Sequence, residues 1–163
     1  MHNGYFFCFD KLSYVQGKKP DGCILCMVRD KNPEVVDLTV YKGRDFVVCI
    51  NLYQYNPGHL LIFPLRHVQD IRDYTESEES NFNIILKIFL NILDKIYNPP
   101  GYNMGYNMGF AAGASIEHIH YHIIPRYPRE IGISDLIAGK KVLVENPLET
   151  KNRIIEYLKK HPI

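Results

Sequence analysis

Apolar residues recur along this chain with two different periods. Between positions 73 and 98, Phe82, Ile85, Leu86, Phe89, Leu90, Leu93 and Tyr97 follow three- and four-residue steps. That spacing makes one buried stripe on a helix. Thr75 and Glu78 form a capping box at its start and Pro99-Pro100-Gly101 stops it, so the pattern predicts the main helix over 73–98. Asn146, Pro147 and Glu149 mark a second start, with an Asn cap, a proline at the first position and an acid at the third. That C-terminal helix is expected over about 147–160.

The other period is that of strands. Residues 35–41 are rich in β-branched side chains, Lys42-Gly43-Arg44-Asp45 reads as a turn, and 46–51 reads as the return strand of a hairpin. A loop over 53–58 leads to a short apolar strand at 60–63, closed by Pro64. Two more strands are expected at 104–108 and 118–124. Five strands, short turns and two principal helices predict an α+β domain with a mostly antiparallel sheet. The only repeat, Gly-Tyr-Asn-Met-Gly-Tyr-Asn-Met-Gly from Gly101 to Gly109, is too short for a solenoid unit. It suits a strand running into a glycine-rich loop.

The 163 residues fit a single domain at roughly 150 residues each. With 19 basic and 18 acidic residues the net charge is +1, which argues against a broad nucleic-acid or membrane surface while leaving room for a local phosphate site. No apolar run approaches the roughly 18–20 residues of a membrane span. Tyr5-Phe6-Phe7-Cys8-Phe9, closed by Asp10-Lys11, is too short for a signal-peptide core. The expected location is therefore the cytoplasm, with reduced thiols. Cys8 and Cys49 stand alone in apolar sequence and read as small core residues, whereas Cys23 and Cys26 form a C-x-x-C.

Chemistry concentrates in His118-Ile119-His120-Tyr121-His122-Ile123-Ile124. Alternate strand residues share a face, so the three imidazoles project together while Ile119, Tyr121 and Ile123 pack behind them. Neighbouring imidazoles disfavour one another's protonation, which keeps at least one neutral near pH 7, as a nucleophile or a metal ligand requires. Before this run comes Gly109-Phe110-Ala111-Ala112-Gly113-Ala114-Ser115, whose small residues suit a backbone cradle for an anion.

These residues resemble the histidine-triad (HIT) family of nucleotide hydrolases and transferases. His118 to Ile124 follows the family's pattern of alternating histidine and apolar positions, Tyr121 being the least apolar. Asn51, Pro57-Gly58-His59-Leu60-Leu61-Ile62-Phe63-Pro64-Leu65-Arg66-His67, Asn107-Met108-Gly109 and Gly113-Ala114-Ser115 extend the likeness. It runs from about residue 12 to 160. Leu12-Ser13-Tyr14-Val15, the turn from Asp21 to Cys26 and the segment Asn51 to Asn56 look most like the branch of diadenosine tetraphosphate phosphorylases and hydrolases.

The resemblance implies a HIT-like fold and a division of roles. His120 would be the nucleophile that forms a covalent nucleotidyl-histidine, released by water or phosphate. His122 would contact a phosphoryl oxygen. Asn107 and Ser115, with backbone N–H groups of Gly113, Ala114 and Ser115, would stabilise negative charge. Asn51 would bind ribose hydroxyls, and Leu52 and Leu61 would line the base pocket. Many family members carry Gln where Ala114 stands, so here backbone groups or Ser115 must serve. Members sharing the C-x-x-C complete a structural zinc site with two histidines, which correspond to His67 and His118. The implied set is then Cys23, Cys26, His67 and His118, a closed four-ligand arrangement. A homodimer is also implied.

Two alternatives are a different enzyme of the same chemistry, a nucleoside phosphoramidase, and, from another class, a non-catalytic, zinc-stabilised nucleotide sensor. A disulfide oxidoreductase lacks the βαβ context of its C-x-x-C. His59 reads either as an orienting residue or as a satisfied core histidine. His67 alone reads as a ligand or as a solvated or capping residue near Gln69-Asp70. Arg126 and Arg129 read as solvated more than as phosphate contacts, and Tyr102, Tyr106, Tyr121 and Tyr127 as packing residues.

Overall fold

The structure is a computed structural model that describes residues 21–130 and 145–163. Cys8, the segment 12–15 and the N-terminal apolar stretch lie outside the described residues. The elements are α1 (Ile24–Arg29), β1 (Thr39–Lys42), β2 (Phe46–Ile50), β3 (Leu60–Pro64), α2 (Glu76–Tyr97), β4 (Gly101–Tyr106), β5 (Tyr121–Arg126) and α3 (Pro147–Lys160). Single 3₁₀ turns occur at Ile71–Asp73 and Phe110–Ala112. The strands form one sheet in the order β1-β2-β3-β5-β4, and every pairing is antiparallel. This is the α+β architecture expected.

Both principal helices begin directly after their caps, so α2 starts at Glu76 and not at 73, which belongs to the preceding 3₁₀ turn. The Thr75 hydroxyl accepts from the Glu78 N–H while the Glu78 carboxylate accepts from the Thr75 N–H. Asn146 and Glu149 repeat the arrangement, with Pro147 at the first helical position. Asn98 ends α2 in the left-handed region at φ 43°.

One sheet face carries the main core. Phe46, Val48, Ile50, Leu60, Ile62 and Ile123 meet Ile85, Phe89, Ile92 and Leu93 of α2 and Ile154 of α3. The long helix is thus spent on its own sheet. The opposite face carries a smaller cluster of Val47, Cys49, Leu61 and Phe63 covered by Leu25 and Val28 of α1. Cys49 is a small core residue, as expected.

Three strand boundaries differ from expectation. The first strand begins at Thr39, not at 35, because the Asp37 carboxylate accepts from the Thr39 N–H and folds the preceding residues into a turn. Strand β4 occupies 101–106 instead of 104–108, since its length is set by pairing with β5, from Gly101 opposite Arg126 to Tyr106 opposite Tyr121. The last strand begins at Tyr121, not His118. Opposite the residues before Tyr121 stands Pro64, which has no N–H for the ladder. The Ile119 N–H goes instead to the Val68 carbonyl at 2.7 Å. The C-x-x-C segment, expected as a loop over about 21–30, contains the short helix α1 with Cys23 at its N-cap.

Phe89 is fully buried, its ring centroid 5.8 Å from that of Tyr41. Phe89→Ala is expected to cost about 3–5 kcal/mol in urea denaturation, and a loss below about 1 kcal/mol would contradict this packing.

Candidate active site and metal cluster

The three triad histidines share the sheet face opposite the main core. The His120 and His122 ring centroids are 4.9 Å apart, and His118 packs edge-on to Phe63 of that face. Tyr121, between them, packs on the other side against Phe82 and Tyr106. The alternation expected from the sequence therefore persists through His118 and His120, even though both precede the hydrogen-bonded strand.

Backbone carbonyls accept hydrogen bonds and never donate them, so they reveal which ring nitrogens carry protons. His120 Nδ1 lies 2.8 Å from the His118 carbonyl oxygen. The proton therefore sits on Nδ1, and Nε2 bears the lone pair. Burial pushes the pKa of His120 below its ordinary 6.5, so the ring is neutral at pH 7.

His59 is fully buried, and it belongs to the site. The Tyr55 N–H donates to His59 Nδ1 at 3.1 Å, which leaves the proton on Nε2. That Nε2 donates to His122 Nδ1 at 3.0 Å. His122 must then carry its own proton on Nε2, an atom that is buried and has no hydrogen-bond partner among the described residues. Burial, reinforced by His122 and His120, pushes His59 down to about 3; burial, with His120, pushes His122 down to about 4. The result is a lone pair on one imidazole and an unspent N–H on the next. This suits attack on an electrophile whose oxygens carry negative charge.

The sequence left His59 with two readings, and it satisfies both: a core residue that fixes its neighbour's tautomer. The signal was its place one residue ahead of a strand pairing with the triad strand. Leu60 pairs with Ile123 and Leu61 with His122.

The remaining candidates surround this centre. Asn51 follows β2; its amide N–H approaches His59 Nδ1 at 3.3 Å and its carbonyl accepts from the Tyr53 N–H at 3.0 Å. Leu61 is buried beside His122, whereas Leu52 is exposed. Asn107 lines a cavity of about 330 Å³ with His122, Tyr55 and Gly105. Ser115 is exposed after the glycine-rich turn. Within that turn the Gly113 and Ala114 N–H groups donate to the Phe110 and Gly109 carbonyls at 3.0 and 3.4 Å, so both are engaged inside the turn. Arg126 binds Glu130 through two nitrogens and also contacts Asn103, while Arg129 is exposed.

Four further ligand-type atoms converge next to the triad. The Sγ atoms of Cys23 and Cys26 and ring nitrogens of His67 and His118 all lie within 4.8 Å of one another. His118 Nδ1 is 3.5 Å from both sulfurs, and His67 Nδ1 is 3.5 Å from the Cys26 sulfur. Sulfur at about 2.3 Å and nitrogen at about 2.0–2.1 Å on a tetrahedral metal stand about 3.5 Å apart. The His118 tautomer also fits: Nε2 donates to the Pro64 carbonyl at 2.9 Å, leaving the Nδ1 lone pair for the cluster. Burial and the adjacent Cys23 push the Cys26 thiol up to about 11, so ionising this pair calls for a cation. The group can bind a metal ion. Asp70, not His67, caps the following 3₁₀ turn.

A neutral imidazole with a free lone pair, a neighbouring ring N–H donor and a cluster of two cysteines and two histidines stand together on an antiparallel sheet. The model of the HIT domain matches residues 32–129, and the chain belongs to that family. It is 31% identical over 115 residues to an AP-4-A phosphorylase of Mycobacterium tuberculosis, covering 70% of this chain and 59% of the relative. It is 30% identical over 100 residues to a bis(5'-nucleosyl)-tetraphosphatase [asymmetrical] of Schizosaccharomyces pombe, covering 61% of this chain and 55% of that protein. The chain thus spans between half and two thirds of the length of these curated relatives. In fold it is similar to a Zn-bound histidine triad family protein from Mycobacterium smegmatis, with a TM-score of 0.68, 18% identity, and coverage of 85% of this chain and 94% of that one.

Holding His59 neutral carries a stability cost in acid. Above its ordinary pKa of 6.5 the group is neutral in both folded and unfolded chains and has no effect. Below 6.5 the unfolded chain takes up the proton first, so His59 lowers stability by up to about 1.4 kcal/mol per pH unit, levelling off where the folded group titrates. Urea denaturation of His59→Asn between pH 7 and pH 4 is expected to show a slope shallower by about one proton. An unchanged slope would contradict the buried neutral imidazole.

Proposed function

We propose that this protein is a HIT-type nucleotide hydrolase or nucleotidyltransferase acting on dinucleoside polyphosphates through a covalent nucleotidyl-histidine. The observation that carries the reading is the hydrogen bond from His120 Nδ1 to the His118 carbonyl, which leaves Nε2 as an unprotonated nucleophile. The activities in the names of the relatives, a phosphorylase and a tetraphosphatase, point to the same substrate class.

In the first step the Nε2 lone pair forms a bond to the α-phosphorus. The bond from that phosphorus to its bridging oxygen breaks, and the remaining polyphosphate departs with the electron pair. The ring becomes a positively charged nucleotidyl-imidazolium whose Nδ1 keeps its proton and donates it to the His118 carbonyl. In the second step an oxygen of water or inorganic phosphate bonds to the phosphorus, the P–N bond breaks with its electron pair returning to Nε2 to restore neutral His120, and the proton of the attacking hydroxyl passes to solvent. His122 Nε2–H, fixed by His59, donates to a phosphoryl oxygen in both steps. Asn107 and Ser115 add donors on the same side, with the cradle of Gly113, Ala114 and Ser115 shaping their approach. Asn51, Leu52 and Leu61 hold the nucleoside that stays attached. Positioning of the phosphorus in line supplies most of the rate.

Cys23, Cys26, His67 and His118 would hold zinc in this reading. With four protein ligands such an ion would have no open position, and its contribution would be to clamp α1 against the residues before β5. Among the described residues β4 is an edge strand, which suits pairing with a second copy in a homodimer. No helix among the described residues is long and apolar enough to cross a membrane, and Cys23, Cys26 and Cys49 are free thiols, as in a cytoplasmic protein.

Two measurements test these assignments. Brief mixing with diadenosine tetraphosphate should give an intact mass raised by one adenylyl group, absent in His120→Ala. Turnover should yield ADP and ATP if added phosphate is required, or AMP and ATP if water suffices. A wild-type protein with neither adduct nor product would overturn the catalytic reading. For the metal, Cys23→Ser is expected to lose bound zinc and melt at lower temperature, whereas His120→Ala retains both; equal zinc content in Cys23→Ser and wild type would refute the ligand set.

A further inference from the structure

β5 is flanked by β3 on one side and β4 on the other, so His122 stands between Leu61 and Gly105. The nucleoside that remains on the enzyme is assigned to the β3 side, with Asn51, Leu52 and Leu61. On the β4 side lies the cavity of about 330 Å³, large enough for a small organic ligand and too large for a phosphate alone. Gly105 gives it a bare floor, since a Cβ there would meet no heavy atom within 4 Å. Tyr55 and Ile124 supply aromatic and apolar surface, and Asn103 and Asn107 supply amides. None of the described residues lining it is a cation, and the nearby Arg126 guanidinium is bound to Glu130 and Asn103. Such a lining suits a flat, neutral, hydrogen-bonding group better than further phosphate.

A second observation concerns Phe110. It is 93% exposed, more than any other large hydrophobic among the described residues, and joins neither core cluster. It sits three residues after Asn107 on the turn between Gly109 and Gly113, both at positive φ (81° and 85°), with open space around each. The ring stands bare on a glycine-bounded turn between Asn107 and Ser115, outside both core clusters.

We propose that the cavity beside β4 is a subsite for the second nucleoside of the substrate, and that Phe110 is the platform on which the base of the departing nucleotide stacks. The inference rests on the nucleotidyl-transfer reading and deepens it: the protein selects substrates that carry a nucleoside at both ends of the phosphate chain. Stacking accepts any base, so the selection is for an aromatic base and not for its identity.

The test compares diadenosine tetraphosphate with adenosine 5′-tetraphosphate, which has the same phosphate count and no second nucleoside. Wild type should prefer the dinucleoside in kcat/KM. In Phe110→Ala that preference should fall about fivefold or more, and Phe110→Trp should retain it. The melting temperature should not move, because the ring is exposed. Calorimetric binding of both probes to His120→Asn reads the same preference without chemistry, so an absence of turnover, which would sink the catalytic reading, still leaves the subsite open to measurement. A Phe110→Ala protein that keeps the wild-type preference in binding and turnover, or a wild type with no preference, would overturn the proposal.

Discussion

His118 is the residue on which the reactive side of this protein depends. Its ring N–H is held by the Pro64 carbonyl, its other ring nitrogen faces the Cys23 and Cys26 sulfurs, and its own carbonyl holds the His120 proton. The fold thus ties the metal-type cluster and the His120 tautomer to a single backbone position. That position exists because Pro64 interrupts the ladder. Had the strand continued to His118, its carbonyl would have been available to a neighbouring strand and not to the His120 side chain. A local failure of sheet pairing creates the acceptor that the imidazole needs.

The second fixed point is the chain from the Tyr55 N–H through His59 to His122. Each hydrogen bond in it has a direction forced by its start, a backbone donor, and the direction passes through two rings. Neither ring can switch tautomer without stranding a buried donor against a donor, at a cost of a few kcal/mol. Low pKa values reinforce this, because both imidazoles stay neutral well below pH 7. His120 and His122 therefore present opposite polarities, lone pair and N–H, from rings 4.9 Å apart. Identical side chains acquire different roles from the backbone groups that each one meets.

What could be read from the chain follows from how local each determinant is. The capping boxes at Thr75–Glu78 and Asn146–Glu149 act within four residues, and both helices begin where those residues indicate. The facing of the triad was legible because alternation is a property of extended backbone, with or without a ladder. Strand ends were less legible because they depend on a partner distant in sequence. The two copies of Gly-Tyr-Asn-Met show this: the first lies wholly in β4, and the second leaves the strand after Tyr106, where pairing with β5 ends. Helix α1 has six residues, too few for an apolar period to emerge, and its C-x-x-C drew attention to chemistry before conformation. The Cys₂His₂ grouping came from a family resemblance, and the 3.5 Å spacings and the His118 tautomer now give it a physical basis independent of that likeness. The orienting reading of His59 was legible, but the direction of its hydrogen bonds was not, since that needs the Tyr55 N–H of the loop before β3 and the His122 ring of β5 on either side of it.

The two faces of the sheet divide the demands of stability and chemistry. On the α2–α3 face nearly every contact is apolar, with Phe46, Ile62, Phe89, Leu93, Ile123 and Ile154 essentially without exposed surface. Burial on that scale supplies the folding free energy and leaves little need for the opposite face to contribute. The site face can then hold three buried histidines kept neutral, a buried His122 N–H with no partner among the described residues, and a glycine where a side chain would fill the cavity. Each of these is a loss by the standards of a packed core. Gathered on one face of the sheet, they leave a donor, a lone pair and an open floor on the same side.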